Sequence, residues 1–139
     1  MIVVDTNIVA YLVIKGERTD LARQLYAQNT TWHVPHLWQH EFVNVLATLV
    51  KQGGATIADA LNLWRQAQAL LAHCEKDINL DEALVLAADT GISAYDAQYL
   101  ALAQTLNCPL VTEDKRLVQK FPDKAMTIQD YLRSKNEID

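Results

Sequence analysis

The sequence is poor in the residues that mark several common classes of protein. It has two cysteines, three prolines and four glycines among 139 residues. Cys74 and Cys108 lie far apart and beside no metal-ligand pattern, so we predict a reduced, cytoplasmic protein. No apolar run approaches the roughly 18 residues of a membrane span. The first residues also lack a basic region followed by a long apolar core, so we expect no secretion signal.

The motifs of several enzyme classes are also missing. No glycine-rich phosphate loop occurs, and Gly53-Gly54 is better interpreted as a helix breaker. No Ser-His-Asp or Cys-His arrangement can be assembled for nucleophilic catalysis. His36 and His40 are four residues apart, but no third ligand accompanies them, which disfavours a transition-metal site.

Lysine and arginine are also fewer than aspartate and glutamate, at 12 against 17. The formal net charge is −5, with no basic tail and no run of like charges. Nucleic-acid binders usually carry a positive surface, so composition alone argues mildly against one. An enzyme that holds cations in a carboxylate cluster can nevertheless be acidic and reach phosphates through the metal. The charge leaves both interpretations open.

What the sequence does contain is an alternation of strands and helices. The predicted strands are Ile2–Val4, Thr31–Val34, Leu110–Thr112 and Ala125–Ile128. The predicted helices are Glu17–Gln28, His36–Lys51, Thr56–Cys74, Asp81–Asp89 and Ser93–Leu106, with shorter helical turns at Lys115–Phe121 and Gln129–Ser134. This alternation predicts one α/β domain over residues 1–139, built on a mainly parallel sheet with right-handed crossovers.

The stretch from Ile92 to Asp114 organises the candidate site. Ser93 precedes an alanine- and leucine-rich run and suits the N-cap of a helix. Asn107 stops that helix, and a short apolar strand follows. A helix that runs down and a strand that returns place Asp96 and Asp114 at the same edge of the sheet.

Two further carboxylates converge on that edge. Asp5 ends the first strand, and Glu41 lies in the first two turns of the helix after the second strand. Ligands of parallel sheets bind at the carboxyl ends of the strands. The topology therefore predicts that Asp5, Glu41, Asp96 and Asp114 meet at one rim.

Each acid also has a purely structural explanation. Asp5 and Asp114 could cap the helices that follow them, Ser93-x-x-Asp96 matches a capping box, and Glu41 could be a solvated helix position. Capping does not require four acids to share one edge, however. Clustered carboxylates repel one another unless a cation neutralises them, and hard oxygen ligands suit Mg²⁺ or Mn²⁺.

Such ions would support phosphodiester hydrolysis. One ion, or two about 4 Å apart, would activate a water and stabilise the leaving oxygen. Asn7 suits orienting Asp5 or touching a phosphate, and Thr112 suits a hydrogen bond to a carboxylate. An Asx turn at Asn7 and an ordinary strand position at Thr112 are equally good explanations.

The four acidic segments together resemble the PIN-domain ribonucleases, and most of all the small toxins of VapBC-type toxin–antitoxin pairs. The segments are Val4-Asp5-Thr6-Asn7, Glu41 within His40–Leu46, Ser93-Ala-Tyr-Asp96 and Val111-Thr112-Glu113-Asp114. The resemblance implies a PIN-like fold with a parallel five-stranded sheet between helices, and an endoribonuclease dependent on Mg²⁺ or Mn²⁺. It also implies an RNA substrate, a homodimer and a cognate antitoxin. By the same resemblance, Asp5, Glu41, Asp96 and Asp114 are the catalytic, metal-binding acids, supported by Asn7 and Thr112.

Two features depart from the family pattern, and two other functions stay open. His36 and His40 stand where the family usually has small or hydroxyl residues, and Glu113 adds an acid beside Asp114. One alternative is a catalytically silent PIN-like binding or regulatory module. The other is a different Mg²⁺-dependent phosphoryl-transfer enzyme, such as a phosphatase with an aspartyl nucleophile. That chemistry usually needs a second Asp two residues after the first, where this chain has Asn7.

An antitoxin would need both a charge to block the acids and an apolar anchor. An arginine fits paired carboxylates, and an amphipathic helix fits an apolar groove. The exposed parts of Leu37, Trp38 and the Ile57–Leu71 helix are the predicted groove. The alternative is that these residues are buried in the core of the domain or in a homodimer interface.

Overall fold

Eight helices surround a five-stranded sheet in the computed structural model, which describes residues 1–138. The strands are β1 (Ile2–Val4), β2 (Trp32–Pro35), β3 (Glu75–Lys76), β4 (Leu110–Val111) and β5 (Ala125–Met126). The helices are α1 (Thr6–Val13), α2 (Thr19–Gln28), α3 (Leu37–Lys51), α4 (Ile57–Leu70), α5 (Leu80–Thr90), α6 (Ala94–Leu106), α7 (Lys115–Lys120) and α8 (Ile128–Ile138). Within residues 1–138, no helix combines the length and the apolar character needed to cross a membrane.

The sheet is parallel throughout, in the order β3-β2-β1-β4-β5. Strand β1 is central: Ile2 pairs with Trp32 on one side, and Val3 pairs with Leu110 on the other. The chain first builds outward through β2 and β3, then returns to the opposite side of β1 for β4 and β5. Ligands bind at such a reversal point, at the carboxyl ends of the strands.

The two faces of the sheet carry separate layers of helices. Ile2 and Val4 pack in the larger core with residues of α1, α2, α3, α4 and α8, whereas Val3 packs with residues of α6 and α7. All three side chains are fully buried. This alternation follows from the two-residue period of a strand, and it produces a three-layer α/β/α domain.

Helix α6 forms as the sequence predicts. The Ser93 hydroxyl accepts a hydrogen bond from the backbone N–H of Asp96 at 3.0 Å, and Asn107 ends the helix in the left-handed region with φ 52°. Ala97 and Ala101 are buried and pack against α5. Small side chains allow this close approach, which fixes the start of α6 at the edge of the sheet.

Four elements differ from the sequence-based expectations, and one of them is α4, which was predicted to reach Cys74 but ends at Leu70. Strand β3 was not predicted, since Glu75 and Lys76 form only a two-residue polar segment with no apolar pattern. Helix α1 (Thr6–Val13) was absent from the predicted helices, and the sequence indicated it only through the possible cap at Asp5. The last strand was predicted to reach Ile128 but ends at Met126, where α8 follows.

Candidate active site

Asp5 stands at the junction of β1 and α1 and is held there by two hydrogen bonds. Its Oδ1 accepts from the Ile8 backbone N–H at 3.2 Å, so it does cap α1. Its Oδ2 accepts from the hydroxyl of Thr112, which is fully buried. One carboxylate therefore caps a helix and is anchored to the end of β4.

Glu41 is fixed by two buried hydroxyls from other elements. Its Oε1 accepts from Thr6 at 2.9 Å and from Tyr99 at 2.5 Å, and these hydroxyls lie 2.6 Å apart. Thr6 is 5% exposed and Tyr99 is 2% exposed. The alternative of a freely solvated Glu41 is wrong, because α1 and α6 hold its carboxylate in place.

Asp96 and Asp114 reach the same edge from the other side of β1. The Ser93 cap uses the backbone N–H of Asp96, while the Asp96 carboxylate faces the cleft. Asp114 caps α7, since its Oδ1 accepts from the Arg116 backbone N–H at 2.9 Å. The Arg116 Nε also lies 3.8 Å from Asp114 Oδ1.

The four predicted acids line one cleft of about 260 Å³, here called the acidic cleft. The acids come from four separate segments of the chain, as the topology predicts. The complete lining is Asp5, Thr6, Asn7, Glu41, Asn44, Val45, Asp96 and Asp114. Asn7 is exposed within it, whereas Thr112 lies behind Asp5.

The electrostatics of the acidic cleft favour a cation. The pKa of Asp5 is raised to about 6, chiefly by burial and also by the charges of Glu41 and Asp96, while the hydrogen bonds from Thr112 and Ile8 act in the opposite direction. Burial, followed by the charge of Asp114, raises the pKa of Asp96. In both residues, ionising the carboxyl group costs more free energy than it would in water, unless a cation neutralises the charge.

The donor set fits a partly hydrated Mg²⁺ or Mn²⁺ better than a fully enclosed ion. Every charged donor is a carboxylate, and an asparagine amide adds a neutral oxygen. In the described part of the chain, no three His, Cys, Asp or Glu side chains form a ready-made metal cage. Mg²⁺ usually keeps several waters and uses only one or two carboxylates, so such a cage is not required.

Glu113 and His36, two of the residues that depart from the family pattern, make their contacts outside the acidic cleft. Glu113 accepts from the Ile128 backbone N–H at 3.2 Å and pairs with Arg18 at 3.7 Å. His36 places one ring nitrogen 2.8 Å from Glu75 and the other 2.8 Å from Asp77. Neither feature enters the lining of the acidic cleft.

Sequence reasoning missed Thr6 and Tyr99. A signal for Tyr99 was present, since it follows Asp96 by three residues and so lies on the same side of α6. Thr6 gave no comparable signal, because its contact with Glu41 spans 35 positions of the chain.

A second feature is an apolar groove between α3 and α4, with a volume of about 440 Å³. Its lining is Val43, Leu46, Ala47, Val50, Lys51, Ile57, Ala60, Leu61 and Trp64. The prediction that Trp38 contributes an exposed part is wrong. Its ring is 1% exposed, packs against Phe42 and Trp64, and donates to Glu75.

Comparison with known proteins identifies the family. The PIN domain family model matches residues 2–122. The chain belongs to the PIN-domain family. It is 33% identical over 125 residues to ribonuclease VapC3 of Pyrobaculum aerophilum, covering 87% of this chain and 95% of that protein. It is 40% identical over 121 residues to ribonuclease VapC9 of Mycobacterium tuberculosis, covering 84% and 88% respectively.

A solved structure supports the same PIN fold. The toxin–antitoxin complex from Klebsiella pneumoniae contains a chain that matches with a TM-score of 0.66 and 21% identity, covering 92% of this chain and 98% of that one. The predicted PIN-like fold, with its parallel five-stranded sheet flanked by helices, is confirmed.

Proposed function

We propose that this PIN domain is a metal-dependent endoribonuclease and the toxin of a type II toxin–antitoxin pair. The observation that carries the proposal is the acidic cleft, where four carboxylates from four segments line one cavity. The relatives that cover most of the chain are named as VapC ribonucleases. Cytoplasmic RNA is the proposed substrate.

Asp5, Glu41, Asp96 and Asp114 are the proposed metal-site acids. A Mg²⁺ or Mn²⁺ ion, when bound, supplies positive charge that stabilises the phosphate oxygens and lowers the pKa of an attacking water. The hydroxyls of Thr6 and Tyr99 both donate to Oε1 of Glu41, which leaves Oε2 as the oxygen that would contact the ion.

The chain's own groups then position the reactants. Thr112 keeps Asp5 turned to the cleft, and its hydrogen bond lowers the pKa of that carboxyl against the effect of burial. Asn7 is exposed in the cleft and offers an amide N–H₂ to a phosphate oxygen. Thr112 and Asn7 therefore act as supporting groups.

An RNA-cleavage assay tests the proposal. The native chain should cleave RNA with Mg²⁺ or Mn²⁺ and stop when the ion is chelated, whereas Asp5→Asn should be inactive in both conditions. Asp81→Asn is the matched control, since Asp81 is an exposed acid on α5 outside the acidic cleft. Cleavage by Asp5→Asn at the native rate would contradict the assignment.

Ion binding has a readout that does not depend on activity. An ion that binds the folded state at a hundredfold excess over its Kd stabilises it by about 2.7 kcal/mol. The resulting rise in Tm should vanish in an Asp5→Asn/Asp96→Asn double variant. An equal rise in that variant would place the ion elsewhere. A silent PIN-like module would show neither cleavage nor a site-dependent shift.

The apolar groove is the proposed anchor for the antitoxin. Ile57, Leu61 and Val43 are 66%, 45% and 48% exposed along it. An amphipathic helix would cover these side chains, and an arginine beyond it would reach the carboxylates of the acidic cleft. The neighbouring structure from Klebsiella is itself a toxin–antitoxin complex, which supports a protein partner.

A homodimer is the remaining part of the proposal. Helix α5 exposes Leu80, Leu84 and Val85, each by more than half of its surface. A second copy of the chain would cover this apolar strip, and sedimentation of the native chain against Leu84→Glu tests it. A monomeric native chain would overturn this part and leave the nuclease assignment intact.

A further inference from the structure

A second cleft opens beside the acidic cleft, and we propose that it binds the RNA phosphate next to the one that is cleaved. Its volume is about 350 Å³, and both clefts include Asp96 and Asp114 in their linings. The two clefts therefore meet at these carboxylates. The inference rests on the ribonuclease function proposed above and adds the path of the substrate backbone.

The two clefts differ in charge. No lysine or arginine is among the described residues that line the acidic cleft. The second cleft, here called the basic cleft, includes Arg116 and Lys120, which are four residues apart and share one side of α7. A neighbouring phosphate is repelled by the carboxylates and attracted by these cations. The strand therefore passes from the acidic cleft into the basic cleft.

Lys120 is positioned for this contact. A Cβ placed on Gly91 would lie 3.7 Å from its Nζ, so the ammonium group reaches from α7 to the turn between α5 and α6. Among residues 1–136, no carboxylate lies within ion-pair distance of Lys120. Arg116, by contrast, is already 3.8 Å from Asp114. Removing Arg116 would disturb the acidic cleft, so Lys120 is the cleaner probe.

Binding of a short, fluorescein-labelled, single-stranded RNA of mixed sequence tests the basic cleft. Anisotropy is measured across a salt series in an Asp5→Asn background, which prevents cleavage. Lys120→Met should weaken binding and reduce the slope of log Kd against log salt by about 0.7, the value for one phosphate contact on a single strand. Lys115→Met is the matched control, because Lys115 is an exposed cation on the same helix outside the lining.

The active chain supplies a second measurement. Lys120→Met should raise KM and leave kcat near the native value, and Lys120→Arg should restore KM. A substrate with a neutral methylphosphonate beside the cleaved phosphate should lose affinity for the native chain but not for Lys120→Met.

The outcomes separate the two proposals. Equal losses in Lys115→Met and Lys120→Met would mean that only general charge attracts the RNA, and the basic-cleft site would be overturned. If the native chain cleaves RNA and Lys120→Met has the same KM as the native chain, the basic-cleft site would also be overturned. Absence of cleavage by the native chain would count against the nuclease function itself.

Discussion

The Tyr99 hydroxyl donates a hydrogen bond to the Glu41 carboxylate at the acidic cleft. It lies 2.5 Å from Glu41 Oε1, and burial together with the charge of Glu41 raises the pKa of the phenol far above its ordinary value. Tyr99 therefore stays neutral and keeps its proton for donation to Glu41. Its role is to position a proposed metal-site acid rather than to react.

We predict that Tyr99→Phe lowers Mn²⁺ affinity or kcat about 10- to 100-fold, the usual effect of removing a hydrogen bond to a metal ligand. Isothermal titration with Mn²⁺ and single-turnover cleavage measure the two quantities. Tyr95→Phe is the control, because Tyr95 is 61% exposed on the same helix. Native values of both quantities in Tyr99→Phe would show that Thr6 alone holds Glu41.

Asp96 gives a prediction in which activity and stability separate. Asp96→Asn should abolish cleavage but leave Tm in metal-free buffer unchanged or higher, because repulsion from Asp114 and Glu41 is relieved. The helix cap survives, since Ser93 accepts the backbone N–H of residue 96. Ser93→Ala removes that cap and should cost about 1 kcal/mol. A fall in Tm with retained activity would reverse the assignment for Asp96.

At the scale of elements, strand β3 is secured by a cluster of side chains rather than by its length. Trp38 and Gln39 both donate to Glu75 Oε1, while the His36 ring faces Glu75 and Asp77. Burial opposes the ionisation of Glu75, but the hydrogen bonds from Gln39, Trp38 and His36 keep its pKa below the ordinary value. The start of α3 therefore holds β3 against the edge of the sheet.

This cluster predicts a dependence of stability on pH. Both His36 nitrogens face carboxylate oxygens at 2.8 Å, and only the protonated ring donates from both. The hydrogen bonds with Asp77 and Glu75 raise the pKa of His36 above 6.5. Its stabilising effect is therefore complete below the unfolded-state pKa and is lost as pH rises through the folded-state value.

Urea unfolding on either side of that range checks the prediction. His36→Gln should destabilise the protein in the acidic range and have little effect in the alkaline range. His40→Gln, at an exposed histidine of α3, is the matched control. An NMR titration should also place the pKa of His36 lower in Asp77→Asn. Equal destabilisation by His36→Gln at both pH values would exclude an ionic role.

The elements that sequence predicted well are those with local signals. Ser93 and Asn107 bound α6 because a cap and a left-handed residue depend on nearby backbone alone. Strand β3 escaped prediction because its two polar residues become a strand only through pairing with β2. The edge shared by the four acids followed from parallel topology. The topology did not predict the hydroxyls that contact Glu41 or the cations of the basic cleft, because their positions depend on how distant helices pack.

At the scale of the whole molecule, α3 connects two surfaces. Glu41, Asn44 and Val45 line the acidic cleft, whereas Val43 and Leu46 line the apolar groove. The groove and the acids therefore lie on neighbouring sides of one helix. A partner anchored in the groove can place an arginine over the acids without any change in the fold.

The last prediction separates toxicity from its inhibition. Expression of the chain alone should arrest growth, and Asp5→Asn should not. Leu61→Glu should still arrest growth but escape rescue by the co-expressed antitoxin, because a charge in the groove opposes an apolar helix. Gln66→Glu, an exposed change on the same helix outside the groove, should be rescued normally. Mutating the antitoxin's arginine should weaken inhibition more than complex formation, since the helix would remain in the groove. Harmless expression of soluble, folded native chain would instead favour the silent PIN-like module.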